Sequence, residues 1–260
     1  MEEQIQKKLD EFPSCFRTYH FVEKLGRNIA HKILDKSKTE IDVSGYDSEM
    51  EEIRALNFMS FMSFAVGKLE DAKEYNNKAL EKNCQNINAI VIKTRLHLYE
   101  SEFAKSKEQC SLLERLKTNE LQMLYGKAEQ AYTCSRLGMK LYDDAEKLFD
   151  EVIRESERVG VPNYDMYMWK FGLALTLKRQ INIYNCHKEN IEYVGQEIQK
   201  CNKVLQIFLD ITNTNAAGID KHRARSFGQL GETLNLLLSR HQTVKIDHHI
   251  FHALPGRGAK

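Results

Sequence analysis

One layout of small and large residues recurs along this chain at a near-fixed interval, and that recurrence constrains the fold more than any other feature. Leu69, Ala72 and Ala79 are followed 34 residues later by Phe103, Ser106 and Leu113. A third copy, at Tyr142, Ala145, Phe149 and Val152, keeps the layout with a displacement of 39 residues, the extra length being expected in a longer joint around LKTNEL. Helix packing explains the pattern: a small residue such as Ala72 or Ala145 lets the second helix of a pair approach the first, and a large residue further along fills the gap to the next pair. A single pair cannot bury its apolar stripe alone, so the pairs must stack on one another.

A period of 34 residues is the tetratricopeptide length, and the fold class expected is all-α, a tetratricopeptide-repeat helical solenoid. The chain has only 3 prolines, Pro13, Pro162 and Pro255, which leaves long stretches open to helix. Val and Ile sit at helical spacing, and no Asn-Gly or Asp-Gly turn separates two β-rich runs, so no sheet is expected. The organisation read from the sequence is an N-terminal helical region over 1–47, the repeat array over 48–160, C-terminal helical pairs over 161–245 and a frayed tail over 246–260. Ser48 with Glu51 three residues on forms a capping box for the first repeat, and Pro162 with Asn163 restarts a helix carrying Trp169 and Leu173.

Composition removes several function classes. Lys plus Arg number 38 against 37 Asp plus Glu, so no global field draws the chain to DNA or an anionic membrane; any nucleic-acid site must be local. The 6 cysteines include no C-x-x-C pair and read as reduced thiols. MEEQIQKKLDEF lacks the apolar core of a signal peptide and no membrane-length apolar run follows, so a soluble cytoplasmic protein is expected. There is no phosphate-binding glycine loop, no G-x-S-x-G elbow, no H-E-x-x-H and no dinucleotide fingerprint; neither an enzyme nor a cofactor is expected. The terminal histidines His248 and His252 would share a helix face but lack a third ligand, and HRAR at 222–225 is a short basic patch; neither is taken as a site.

Two segments carry a resemblance to a known family. AEQAYTCSRLGMKLYDDAEKLF is similar to a stretch of the interferon-induced proteins with tetratricopeptide repeats, through Tyr132, Arg136, Gly138, Lys140 and Tyr142, with Leu141 replacing an aromatic. FGLALTLKRQ resembles that family's Gly-aromatic-Ala helix through Gly172, Ala174 and Arg179, and FPSCFR and VEKLGRNI echo its N-terminal segments. The resemblance spans roughly residues 10 to 180. Members of that family hold the 5′ end of foreign RNA in a basic tunnel as cytosolic antiviral effectors. The resemblance therefore implies that Arg136 and Arg179 face 5′ phosphates, that Tyr132 stacks a base or cap, and that Lys24 and Asn28 reach the same phosphates. Charge-assisted hydrogen bonds to phosphate and stacking on an aromatic face are the chemistry such residues supply.

The same residues have plainer readings. An arginine on a helix is ordinarily solvated or paired with a carboxylate such as Asp143 or Asp144, Tyr132 and Trp169 suit core wedges, and Cys134 suits a small core position. A rival function is a protein-interaction scaffold holding a peptide or helix, for which the apolar face of Phe58, Met59, Phe61 and Met62 speaks. Self-association into a homo-oligomer is a third, because an uncapped solenoid leaves an apolar end.

Overall fold

The computed structural model describes residues 2–46, 48–184, 191–215 and 219–240, with the side chains of 41–44, 182–184, 191–197 and 236–240 set aside. Among the described residues the structure is all-helical, without a strand, and the chain divides into two compact units, Met1–Gly160 and Val161–Lys260. No helix among those residues is long and apolar enough to cross a membrane. The histidines of the tail lie outside the described residues.

In the first unit, α1 (Glu2–Leu9), a 3-10 turn (Cys15–Thr18), α2 (Tyr19–Leu25) and α3 (Arg27–Ser44) precede three packed pairs: α4 (Glu49–Ala65) with α5 (Leu69–Lys82), α6 (Ile87–Tyr99) with α7 (Phe103–Leu116), and α8 (Glu120–Leu137) with α9 (Tyr142–Val159). Side-chain caps start the first helix of each pair. Ser48 Oγ accepts from Glu51 N at 3.1 Å, Asn86 Oδ1 from Ala89 N at 2.8 Å and Asn119 Oδ1 from Gln122 N at 3.1 Å, each satisfying a donor the helix itself leaves open.

The period is also visible in the backbone. Gly67 ends α4 with φ +83°, with Lys68 N donating to Ser63 O at 2.8 Å and Gly67 N to Phe64 O at 3.0 Å, the two bonds of a Schellman ending. Ser101, 34 residues on, ends α6 with φ +59°, with Glu102 N donating to His97 O at 2.8 Å and Ser101 N to Leu98 O at 3.0 Å. The same turn is thus built twice, once with glycine and once with serine in the left-handed region.

The third pair departs for a reason the sequence reading misplaced. The joint around LKTNEL is short, since only Lys117–Asn119 separates α7 from α8. The added length lies in α8 itself, 18 residues against 13 in α6, and in a 3-10 step at Met139–Leu141 after Gly138, whose φ is +120°.

Most of the packing residues named from the repeat are interior, while Leu69, Phe103 and Tyr142 are half-buried. Ala72, Ala79, Ser106, Leu113, Ala145, Phe149 and Val152 are all buried. So are Phe58, Met59, Phe61 and Met62, which removes them as an exposed peptide-holding face. Polar bonds tie the helices within and between pairs: Ser60 Oγ donates to Ala72 O at 2.6 Å inside the first pair, and Asn76 Nδ2 to Ala89 O at 2.8 Å joins the first pair to the second. On the N-terminal side α3 is held to α5 by Lys38, whose Nζ lies 3.2 Å from Asp71 and 5.5 Å from the Tyr75 ring centroid.

The second unit contains α10 (Asn163–Tyr184), α11 (Ile191–Asn213) and α12 (Asp220–Arg240), with α11 packed on both others. Pro162 O accepts the first helical bond of α10, from Met166 N at 3.2 Å, so the proline stands just outside the helix where its missing N–H does no harm. Trp169, Leu173, Leu177, Phe208 and Leu230 fill this core.

Candidate functional site

The polar face with the most chemistry in the first unit is centred on Tyr132. Tyr132 and Arg136 are four residues apart on α8 and so share a face. The half-buried Tyr132 ring has the Phe58 ring against it at 5.8 Å, edge to face, which fixes its plane. Two guanidinium groups flank it: Arg54, from α4, with Cζ 4.2 Å from the ring centroid, and Arg136, with Cζ at 6.0 Å. Both lie in cation–π range, and Arg54 is the closer. The two guanidinium carbons are therefore no more than about 10 Å apart.

Each arginine is only partly accessible, with side-chain exposure of 12% for Arg54 and 14% for Arg136. Arg54 Nη2 stands 3.5 Å from Glu51, a loose contact, and its Nε is buried without a hydrogen bond. Arg136 Nη2 donates to Glu40 Oε2 at 2.6 Å and to Ser37 Oγ at 3.2 Å, both from α3. Burial works against the charge on Arg136, but the Tyr132 phenol oxygen and the Glu40 carboxylate outweigh it and hold the guanidinium above its ordinary pKa. In place of a nearby carboxylate such as Asp143 or Asp144, Arg136 pairs with one from α3, 96 residues earlier.

One turn back from Tyr132, Glu129 lies fully inside the unit. Its Oε2 accepts from Asn57 Nδ2 at 2.7 Å and its Oε1 from Asn86 Nδ2 at 2.6 Å, while Asn57 Nδ2 also reaches Asn86 Oδ1 at 2.9 Å. Burial pushes the carboxyl up to about 7, opposed by those two amide donors and more weakly by the charge of Arg54. This knot joins α4, the cap of α6 and α8, one turn along α8 from Tyr132. Sequence reasoning missed it together with Arg54; the available signal was an amide, Asn57, inside the largely apolar run LNFMSFM.

The other residues drawn from the resemblance are placed differently. Lys24, at the end of α2, and Asn28, in the first turn of α3, face solvent. Ser37, where α3 touches Arg136, is nine residues beyond Asn28, and nine residues of helix rise about 13 Å. Arg179 is half-buried on α10, in the second unit; its neighbour Lys178 is engaged by Gln229 Oε1 at 2.7 Å and by Glu232. Trp169 is a core wedge, as its plainer reading holds. In HRAR, His222 is buried with its ring 5.4 Å from Phe171 and 5.6 Å from Tyr164, and Arg223 donates to Thr214 O at 2.6 Å. Cys134 is buried and its thiol is pushed up to about 12 by burial, which makes it inert.

Two further groupings bear on function. His97, Glu100 and Glu102 bring their ligand atoms within 4.8 Å of one another, but Lys73 sits 2.5 Å from Glu100 and Lys105 2.6 Å from Glu102. Those ammonium groups already answer the carboxylates, and the set reads as an ion-pair knot. Where α1, the 3-10 turn, α4 and α6 meet, a concavity of about 500 Å³ is walled by Phe16, Tyr19, Phe64 and Tyr99, with Arg95 and Asp10 at its polar side. Tyr99 is 63% exposed, an unusual surface aromatic.

Comparison of the chain with protein-family models, with curated proteins and with solved structures finds no match.

Proposed function

We propose that this chain is a non-catalytic, cytosolic helical solenoid of tetratricopeptide type, similar to the N-terminal part of the interferon-induced family, and that it captures the 5′-phosphorylated end of foreign RNA in an innate antiviral role. The observation that carries the reading is the placement of two largely buried guanidinium groups, Arg54 and Arg136, against the single half-buried ring of Tyr132. Such a grouping supplies what an RNA end needs: fixed donors for phosphate oxygens and an aromatic surface for the first base. Arg179, Lys24 and Asn28 are the remaining positions that the resemblance assigns to the phosphates.

A titration of purified protein with one short RNA bearing a 5′-triphosphate, against the same RNA bearing a 5′-hydroxyl, tests the reading at one fixed salt concentration, because phosphate contacts weaken steeply with salt. A clear preference for the triphosphate end is expected. Equal affinity for both ends overturns it.

The aromatic-walled concavity with exposed Tyr99 favours a second reading, a scaffold that takes an apolar side chain of a partner protein. Indifference to RNA, together with loss of a defined peptide on Tyr99→Ala, would transfer the function to that site.

A further inference from the structure

The arginine of the proposed phosphate site already holds an anion, and that anion belongs to the chain itself. Glu40 Oε2 sits 2.6 Å from Arg136 Nη2, the distance of a charge-assisted hydrogen bond. Ser37, the other group on Arg136, is a neutral acceptor there, since its hydroxyl proton goes to Ile33 O at 2.9 Å. Glu40 is the one carboxylate among the described residues that salt-bridges Arg136, and it is the more exposed member of the pair.

The two members of this pair are unequal. Arg136 is packed against Tyr132 and only 14% of its side chain is exposed, whereas 45% of the Glu40 side chain is exposed. The exposed member can rotate into water at small cost, because an exposed carboxylate regains its hydration as it leaves and its other partner, Lys36 Nζ at 3.9 Å, is itself exposed and can move with it. The buried guanidinium cannot follow it. A phosphate that arrives from solvent therefore meets a fixed cation whose counter-charge is removable.

We infer that Glu40 is a resident competitor on α3: it occupies the anion seat of Arg136, and a phosphate-terminated ligand binds by displacing it. This rests on the function proposed above and adds to it a threshold. A singly charged anion exchanges one negative charge for another and gains little, while a polyphosphate end brings excess charge and reaches toward Arg54 across the Tyr132 ring, within the limit of about 10 Å set by the ring distances. The device selects multiply charged termini over singly charged anions such as chloride or acetate.

Isothermal titration with inorganic triphosphate, on wild type and on Glu40→Gln, tests the inference without RNA. Glu40→Gln is expected to bind it about tenfold more tightly, the effect of removing one competing charge worth near 1.4 kcal/mol, and Glu40→Gln combined with Arg136→Gln is expected to lose that gain. Glu40→Asp, with its carboxylate drawn back by one methylene, is expected to fall between wild type and Glu40→Gln. Circular dichroism confirms that each variant keeps its helicity. If Glu40→Gln binds triphosphate no better than wild type, or if the gain survives removal of Arg136, the inference is overturned and the pair is a structural salt bridge. The two proposals fail separately. A wild type that prefers triphosphate RNA but is unchanged by Glu40→Gln keeps the function and loses the competitor; a Glu40→Gln that gains triphosphate while no variant distinguishes the RNA ends keeps the competitor and loses the function.

Discussion

At the scale of single residues, Glu129 is the group whose surroundings have the most measurable consequence. Burial raises its pKa from 4.5 to about 7, so the folded protein holds this proton more tightly than the unfolded chain does. The stabilisation is fully present below the unfolded value and is lost as pH rises through about 7, a loss of roughly 3 kcal/mol across that window. Glu129→Gln removes the titration by placing a neutral amide where the carboxyl sits, and its side-chain oxygen can still accept from one of the two asparagine amides. The melting temperature of Glu129→Gln is therefore expected to rise relative to wild type between pH 5 and pH 8; a difference that stays flat with pH would contradict the assignment. Beyond the oddity of Asn57 in a largely apolar run, the knot was not legible in the sequence, because the partners of Glu129 lie 43 and 72 residues away and only the stacking of α4, α6 and α8 brings them together. Tyr132 and Arg136 were legible as a pair, since they are four apart on one helix. Their pairing with Glu40 was not, because it depends on where α3 comes to lie.

At the scale of elements, the repeat is the part the sequence states most openly. Helix-pair packing allows only small residues at the closest approach, and that restriction is written directly into residue type at Ala72, Ser106 and Ala145. Enlarging Ala145 to Leu forces α9 away from α8 and is expected to cost about 1–3 kcal/mol in urea denaturation; an unchanged midpoint would mean the position is not close-packed. The two turns offer a matched pair of tests. Gly67→Ala places a side chain at φ +83° and is expected to destabilise by about 1 kcal/mol, while Ser101→Gly relieves the same strain at φ +59° and is expected to stabilise by several tenths to 1 kcal/mol. Opposite signs in denaturant midpoints support the equivalence of the turns, and equal signs refute it. The extra length of the third pair was misplaced in the sequence reading for a physical reason. Hydrophilic LKTNEL looks like loop, yet Asn119 caps a helix there and the helical run resumes at once.

At the scale of the whole molecule, near-zero net charge means that binding cannot come from a diffuse field, and the chemistry has to be concentrated in a few buried charges. That has a quantitative consequence for RNA. If Arg54 and Arg136 are the phosphate contacts of the first unit, the slope of log K against log salt should be shallow, roughly −1.4 for two contacts to a single strand. A slope several times steeper would point to a broad cationic surface instead. The central claim is that Arg136, beside Tyr132, reads the phosphorylated end. The most direct measurement is the ratio of affinities for 5′-triphosphate and 5′-hydroxyl forms of one RNA, on wild type and on Arg136→Glu, at one salt concentration and with helicity checked. The account predicts a strong triphosphate preference in wild type that collapses to near unity in Arg136→Glu; a preference that survives the charge reversal would contradict it.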